Sequence, residues 1–127
     1  MTTTNNAIFA NLAMDAHEAG LAAGAAARPT PMHIVEADVF GRPKPGAEII
    51  TENEGLCGFA WVQFPGNTAF GRWAKKTGLA RASYPTGLQI SCHEFNQSLE
   101  RKEAYVRAFA AVLTSHGIKC HAGSRLD

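Results

Sequence analysis

Residues 56–64 (LCGFAWVQF) contain no charged side chain, and this run constrains the fold more than any other part of the chain. Successive side chains of an extended strand point to opposite faces, so the run has two faces. Cys57, Phe59 and Trp61 share one face, and Gly58, Ala60, Val62 and Phe64 share the other. Because neither face carries a charge, the pattern predicts a central strand that is covered on both sides.

Three helices are predicted from the helical spacing of apolar residues. The first runs from a cap at Thr4 or Asn5 to about Ala27, the second covers residues 69–77, and the third covers residues 99–116. The apolar face of the third helix consists of Leu99, Val106, Phe109, Ala110 and Leu113. These three helices are enough to cover a small sheet.

The first helix is rich in alanine and glycine, and its small residues form a flat stripe. Ala16, Gly20 and Gly24 follow one another at intervals of four residues, which places them on one side of a helix. Such a stripe allows a close approach to a sheet or to another helix. We expect it to dock on the small residues Gly58 and Ala60 of the central strand.

Four further strands are predicted. They cover residues 32–37, 48–51, 88–95 and 118–122, and the last five residues follow as a frayed tail. The strand over residues 88–95 alternates cleanly between an apolar and a polar face. Leu88, Ile90 and Cys92 form its apolar face, and Gln89, Ser91 and His93 form its polar face.

The resulting fold class is α+β, or a small α/β fold, with one mixed sheet of about four strands and three helices. Residues 56–95 and 88–122 each have the order strand–helix–strand, which allows parallel pairing through right-handed crossovers. We expect a single domain over residues 1–127, with a loose start at residues 1–4 and a Pro/Gly-rich loop or arm at residues 38–47.

Composition indicates in which cellular compartment the protein is expected to act. No charge-free stretch is long enough to cross a bilayer and no signal peptide is recognisable, so we expect no membrane partner. Three cysteines, Cys57, Cys92 and Cys120, are an odd number. Without a secretion signal they indicate reduced thiols in a cytosol.

Most catalytic and cofactor motifs are absent from the sequence. There is no Walker A loop, no GxGxxG, no GxSxG and no CxxC. The dipeptides Cys92-His93 and Cys120-His121 have the residue types of a metal site. Neighbouring strand residues point to opposite faces, however, so neither dipeptide can readily chelate one ion. We therefore predict no metal and no cofactor.

The strongest functional signal is segregated charge. Residues 55–93 contain no Asp or Glu in a chain whose net charge is only +1. Cations concentrated in this way attract anions such as phosphates, and an exposed tyrosine can stack on bases. The predicted binding residues are Arg72, Lys75, Lys76, Arg81 and Tyr84, assisted by Arg42 and Lys44 from the Pro/Gly arm. An ordinary solvated helix end accounts for the same lysines through the helix dipole.

A second, weaker candidate is a polar face with two histidines. Gln89, Ser91 and His93 share one strand face, and His121 lies on the corresponding face of the last strand if the two strands are neighbours. Two such histidines provide half a metal site or an acid–base pair. A solvated polar face is the simpler interpretation, since no carboxylate completes the set.

Most of the chain resembles a group of small hypothetical proteins from bacteriophage and prophage genomes. The likeness is carried by AHEAGLAAGAAARPTPMHIVE, EGLCGFAWVQFPGNTAFGRWAKKTGLAR and EFNQSLERKEAYVRAFAAVLTSHGIKCHAGSRLD. The resemblance implies a phage-derived accessory or virion protein that acts in a bacterial cytosol. It implies no reaction, cofactor or functional residue.

Three functional hypotheses follow. The favoured one is a non-enzymatic phage-type protein that binds an anionic partner, either nucleic acid or a nucleotide-like ligand. The second is a virion or protein-interaction component that forms a homo-oligomer on the flat Ala/Gly helix. The third is a small enzyme that uses His93 or His121.

Overall fold

The computed structural model describes residues 3–35, 37, 39–46 and 49–127. Along these residues the elements are α1 (Thr3–Ala26), β1 (Met32–Val35), β2 (Ile49–Glu52), β3 (Gly58–Phe64), α2 (Ala69–Lys76), β4 (Arg81–Ala82), β5 (Leu88–Ser91), α3 (Leu99–Ser115) and β6 (His121–Leu126). The predicted α+β class with three helices is confirmed. Thr3 and Thr4 belong to α1, and the remainder of the predicted loose start lies outside the described residues.

The larger sheet has four strands in the order β4-β5-β3-β6. Strand β3 is therefore central, as predicted, and it pairs antiparallel with both β5 and β6. The last six elements form the split β-α-β arrangement. Each helical connection crosses over one intervening strand, so the strands that it joins are not neighbours. The predicted mixed sheet, which requires parallel pairing of the strands joined by a helix, is therefore wrong.

One face of the sheet carries the hydrophobic core. The side chains of Ala60, Val62 and Phe64 from β3 are buried there with Leu88 and Ile90 from β5. The predicted apolar face of α3 packs onto them, and all five of its residues are buried. The opposite face is not covered by a helix, and Phe59 remains 37% exposed on it. The prediction that β3 is covered on both sides is therefore wrong.

The flat stripe of α1 packs against α3 rather than against the sheet. A Cβ atom added at Gly20 would lie 2.6 Å from the ring of Tyr105, and one added at Gly24 would lie 2.2 Å from the ring of Phe95. At Gly58 the corresponding space is filled by Leu99 and by the backbone of β6. The predicted docking of the stripe on Gly58 and Ala60 is therefore wrong, because α3 occupies the position between α1 and the sheet.

The short helix α2 follows local capping rules. Thr68 caps its first turn by accepting a hydrogen bond from the Gly71 N–H at 3.0 Å. The chain leaves the helix at Gly78 with a φ of 83°, which favours glycine. Phe70 packs edge-on against Phe64 of the sheet, with ring centroids 5.3 Å apart. Helix α2 therefore lies on the same covered face as α1 and α3.

Strands β1 and β2 form a separate two-stranded antiparallel sheet. We call residues 32–52 the hairpin arm; it includes the predicted Pro/Gly loop. A bridge between Ala37 and Pro43 extends the arm beyond the paired strands. All four residues of β2 are exposed, and Phe40 near the tip is 77% exposed. None of the arm residues that the structure describes belongs to the buried core.

The C-terminal residues extend the sheet. The last strand was predicted over residues 118–122 but covers His121–Leu126, and the predicted frayed tail is wrong over most of its length. β6 pairs with β3 from Gly58↔Leu126 to Gln63↔His121. The local strand propensity of these residues does not indicate a strand. The strand forms because the edge of β3 provides its hydrogen-bonding partner.

Candidate functional site

The uncovered face of the four-stranded sheet holds a groove of about 650 Å³. Phe59, Trp61 and Gln63 of the central strand form its floor. These three positions span about 13 Å along the strand, at about 3.3 Å per residue. The uncovered face exists because both crossover helices and α1 pack on the other side of the sheet.

Antiparallel register aligns the residues of the uncovered face in rows across the sheet. One row joins Arg81, Gln89, Gln63 and His121 through β4, β5, β3 and β6. A second row joins Ser91, Trp61 and Gly123. A third row pairs Phe59 with Arg125, and the Cys92 N–H bond to the Ala60 carbonyl at 2.9 Å brings His93 beside Phe59. The groove therefore combines residues from four strands.

Two cations flank Phe59 at one end of the groove. The guanidinium carbon of Arg125 lies 5.1 Å from the ring centroid, and the ammonium nitrogen of Lys102 lies 5.5 Å from it. Both distances are within the range of cation–π attraction. Lys102 belongs to the second turn of α3 and is only 5% exposed. It reaches the groove past the end of β5.

Trp61 lies across β6 where that strand has no side chain. A Cβ atom at Gly123 would lie 2.7 Å from the indole nitrogen of Trp61 and 2.8 Å from the neighbouring ring carbon. The ring therefore occupies space that any other residue at position 123 would fill. Gly123 allows a broad aromatic surface on the floor of the groove.

Amide and hydroxyl groups complete the groove. The Gln89 side-chain amide donates to the Ser91 hydroxyl at 3.1 Å, and the Gln63 amide donates to the Thr86 carbonyl at 3.3 Å. At the Lys102 end, Asn96 and Gln97 form a wall, and the Gln97 carbonyl accepts from the Gly58 N–H at 3.0 Å. This wall is anchored to the first residue of the central strand.

The charge of the groove has one sign. Among the residues that the structure describes, its lining contains the cations Arg81, Lys102 and Arg125 and no aspartate or glutamate. Its aromatic residues are Phe59, Trp61 and Tyr84, of which Tyr84 is 94% exposed. Positive potential in a concave, partly desolvated surface concentrates anions. The lining can therefore hold an anion and stack a flat ring beside it.

The structure divides the predicted basic segment. Arg81 and Tyr84 line the groove, whereas Arg72, Lys75 and Lys76 lie on α2 and are absent from its lining. The Arg72 guanidinium donates to the Asn67 carbonyl at 2.9 Å. The groove takes its other two cations from segments distant in sequence.

Arg42 and Lys44 lie on the hairpin arm and are likewise absent from the lining of the groove. The guanidinium of Arg42 stacks over Phe40 with its carbon 5.2 Å from the ring centroid. The predicted contribution of the arm to a shared cationic surface therefore has no counterpart in the groove.

The two predicted histidines are not brought together. Gln89, Ser91 and His93 line the groove, as their common strand face requires, but His121 lies at the opposite end in a smaller pocket with Lys119. Because β3 separates β5 from β6, strand spacing places the two histidine backbones about 16 Å apart. The acid–base pair that would need them as neighbours is not formed.

Two of the three cysteines, Cys92 and Cys120, lie in or against the core, and Cys57 is exposed. Cys92 is buried, and burial raises the pKa of its thiol. The Cys120 thiol contacts the Ala110 carbonyl at 3.5 Å. Within the described parts of the chain, no three His, Cys, Asp or Glu side chains lie close enough to hold a metal ion. Among the described helices, none has both the length and the apolar character that crossing a membrane requires.

Sequence reasoning missed Lys102 and assigned Arg125 to a frayed tail. A signal for Lys102 exists: it lies three residues after Leu99 and four before Val106, on the apolar face of α3. A lysine at such a position must send its charge past the core. No comparable local signal marks Arg125, since its position depends on β6 pairing with β3.

Comparison with protein-family models, curated proteins and solved structures found no match to this chain.

Proposed function

We propose that this protein is a non-enzymatic, phage-type accessory protein that binds single-stranded nucleic acid or a nucleotide-like ligand on the uncovered face of its sheet. The observation that carries the proposal is the groove lining, which combines Arg81, Lys102 and Arg125 with aromatic residues and, within the described part of the chain, no carboxylate. A bacterial cytosol is the proposed site of action, as the resemblance to phage proteins implies.

The aromatic residues favour unpaired bases over a duplex. Single-stranded nucleic acids are bound by basic grooves in which bases stack on aromatic side chains, each stacked base contributing about 1–3 kcal/mol. Four-stranded sheets that bind RNA use aromatic residues on their central strands in this way. By analogy, Trp61 of the central strand provides a stacking position. The amides of Gln63 and Gln89, in the next row of the sheet, can hydrogen-bond the edge of a base.

The test is a binding titration with fluorescent single-stranded DNA, single-stranded RNA and a mononucleotide panel at low and high salt. We expect micromolar or tighter binding of at least one single strand at low ionic strength, weakening as salt rises. Absence of binding by all of these ligands at low salt would refute the proposal.

Matched charge-removal variants locate the site. Arg81→Ala with Arg125→Ala removes two groove cations, and Lys75→Ala with Lys76→Ala removes two exposed cations from α2. The groove pair should weaken binding by about tenfold or more, as the loss of one to two phosphate contacts predicts. The α2 pair should change it by less than about threefold. Equal effects of the two pairs would place binding outside the groove.

A second candidate function, self-association or protein binding, is favoured by the hairpin arm. Ile34 and Ile50 face each other across β1 and β2, and they are 47% and 58% exposed. The flat stripe of α1 cannot serve this purpose, since α3 covers it within one chain. Light scattering should detect a dimer or larger species at high protein concentration that Ile34→Thr with Ile50→Thr reduces to monomer. A monomeric parent protein at every concentration removes the self-association candidate.

A further inference from the structure

Lys102 has a buried stem and a charged end that opens into the groove. The residue is 5% exposed, and it lines the groove. Among the described residues none accepts a hydrogen bond from its ammonium, and the ring of Phe59 lies 5.5 Å from it. No fully buried side-chain nitrogen lacks a hydrogen-bond partner among those residues, so solvent reaches the ammonium through the groove. An anion in the groove can therefore pair with Lys102.

Lys102 lies near the N-terminus of its helix. It is the fourth residue of α3, which begins at Leu99 after the Ser98 cap. The first turn of a helix carries a positive partial charge that favours anions. Lys102 and the N-terminus of α3 therefore both contribute positive potential at the same end of the groove.

Arg125 adds a second cation to this end, and together the two match a doubly charged anion. Both lie within 5.5 Å of the Phe59 ring centroid, on the side of the groove closed by Asn96 and Gln97. A terminal phosphate monoester carries about −1.5 to −2 charges at pH 7, whereas an internal phosphodiester carries one. Two cations around one ring at the same end of the groove therefore suit a terminal phosphate.

The surface beyond Asn96 and Gln97 is unfavourable for further nucleotides of a bound strand. Asn96 and Gln97 also line a second pocket, which contains the carboxylates of Glu52 and Glu54. The Glu54 carboxylate is already paired with Arg101 at 2.7 Å, and Glu52 accepts the Glu54 N–H at 3.2 Å. Arg101 lines the same pocket and neutralises Glu54, so Glu52 leaves the pocket with a net negative charge that disfavours further phosphates beyond the wall.

We propose that Lys102 and Arg125 form a subsite for a terminal phosphate monoester, at the end of a single strand or on a mononucleotide. This inference rests on the proposed function, whose ligand it specifies. With the phosphate at the Phe59 row, the next floor position in the same direction is Trp61, about 7 Å along the strand. The first base then stacks on Trp61, and the remainder of the ligand runs towards Arg81 and Tyr84.

The experiment compares short oligonucleotides of one sequence that differ only in their ends: a 5′-phosphate, a 3′-phosphate, or hydroxyls at both ends. We expect one phosphorylated form to bind at least about tenfold more tightly than the hydroxyl form, the effect of one charge-assisted hydrogen bond. Which of the two does so identifies the bound end. In Lys102→Met, which keeps an unbranched apolar side chain, the preference should fall below about twofold.

Lys75→Met is the matched control, since it removes an exposed lysine of α2 and should leave the preference unchanged. Inorganic phosphate provides a second measurement: it should raise the Tm of the parent protein and of Lys75→Met but not that of Lys102→Met. The Tm comparison applies only if Lys102→Met shows a cooperative melting transition, which is the evidence that the variant is folded.

The outcomes separate the subsite from the proposed function. Equal binding of all three oligonucleotides by the parent protein would overturn the subsite and leave nucleic-acid binding intact. A phosphate preference that survives in Lys102→Met would also overturn it. If no oligonucleotide binds while inorganic phosphate still raises Tm through Lys102, the anion subsite stands and the nucleic-acid proposal fails.

Discussion

Gly123 shows how one missing side chain shapes the groove. Because a Cβ atom there would lie 2.7 Å from the Trp61 indole, Gly123→Ala must displace the ring or the strand. We expect a loss of about 1–3 kcal/mol in the free energy of unfolding, the usual cost of overpacking, together with weaker oligonucleotide binding. Chemical denaturation and the binding titration measure the two effects.

The Trp61→Ala background supplies the control for this prediction. Without the indole, Gly123→Ala should be neutral or slightly stabilising, since alanine restricts the unfolded chain more than glycine does. A similar destabilisation in both backgrounds would mean that the close approach of Trp61 to Gly123 is not what the substitution disturbs.

The buried hydroxyl of Tyr105 makes the stability of the folded protein depend on pH in the alkaline range. Its hydroxyl hydrogen-bonds to His17 at 2.5 Å, and burial raises its pKa above the ordinary value of 10.0. The folded protein therefore retains the phenolic proton at pH values where the unfolded chain releases it. Stability from this group is complete below pH 10 and falls as pH rises above that value.

Tyr105→Phe tests this pH dependence. The variant loses the hydrogen bond to His17, at a cost of about 1 kcal/mol near neutral pH, but it should lose less further stability between pH 10 and 11 than the parent protein. Urea denaturation across that pH range measures the slope. An identical slope in both proteins would show that Tyr105 titrates normally in the folded state.

At the scale of elements, the contact between α1 and α3 depends on small residues. A Cβ atom at Gly20 would lie within 2.6–3.0 Å of three atoms of the Tyr105 ring. Alanine normally stabilises a helix by about 0.5–1 kcal/mol relative to glycine. We predict the opposite sign for Gly20→Ala, a net loss of about 1–3 kcal/mol in unfolding free energy, because overpacking outweighs propensity.

Ala22→Gly is a suitable comparison for Gly20→Ala, since Ala22 is an exposed position of the same helix. It should cost only the propensity difference, about 0.5–1 kcal/mol. Thermal or chemical denaturation of both variants separates the two contributions. Stabilisation by Gly20→Ala would contradict the packing of α1 on Tyr105.

The elements differ in how far local sequence predicts them. The faces of β3 and β5 and the apolar face of α3 were predicted, because each depends on spacing within one segment. β6 was misplaced, because its residues HAGSRL have weak strand propensity. Its hydrogen bonds come from the edge of β3, which lies more than fifty residues away in the chain.

The whole molecule assembles its candidate site from separated segments. Arg81 follows α2, Lys102 belongs to α3 and Arg125 to β6, so their convergence in one groove depends on the strand order β4-β5-β3-β6. The four cations in residues 55–93 predicted one basic surface. The crossover from β3 to β4, however, places α2 and its exposed lysines on the side of the sheet opposite the groove. Of the predicted binding residues, only Arg81 and Tyr84 reach the groove.

The charge of the groove predicts how binding responds to salt. For single strands the slope of log K against log salt concentration is about −0.7 for each neutralised phosphate. If all three groove cations contact phosphates, the slope should be about −2. Arg81→Ala should reduce its magnitude by about 0.7, and Lys75→Ala should leave it unchanged. A slope near zero in the parent protein would indicate binding without phosphate contacts.

Local sequence patterns predict which residues form strands and helices in the middle of the chain, and which side of each is apolar. These properties follow from side-chain periodicity, which acts over a few residues. The strands that flank β3, the surface that α1 covers and the cations that share a groove are set by the folded arrangement. Those outcomes depend on contacts between distant segments, where backbone pairing and close packing select one arrangement from many that the local patterns allow.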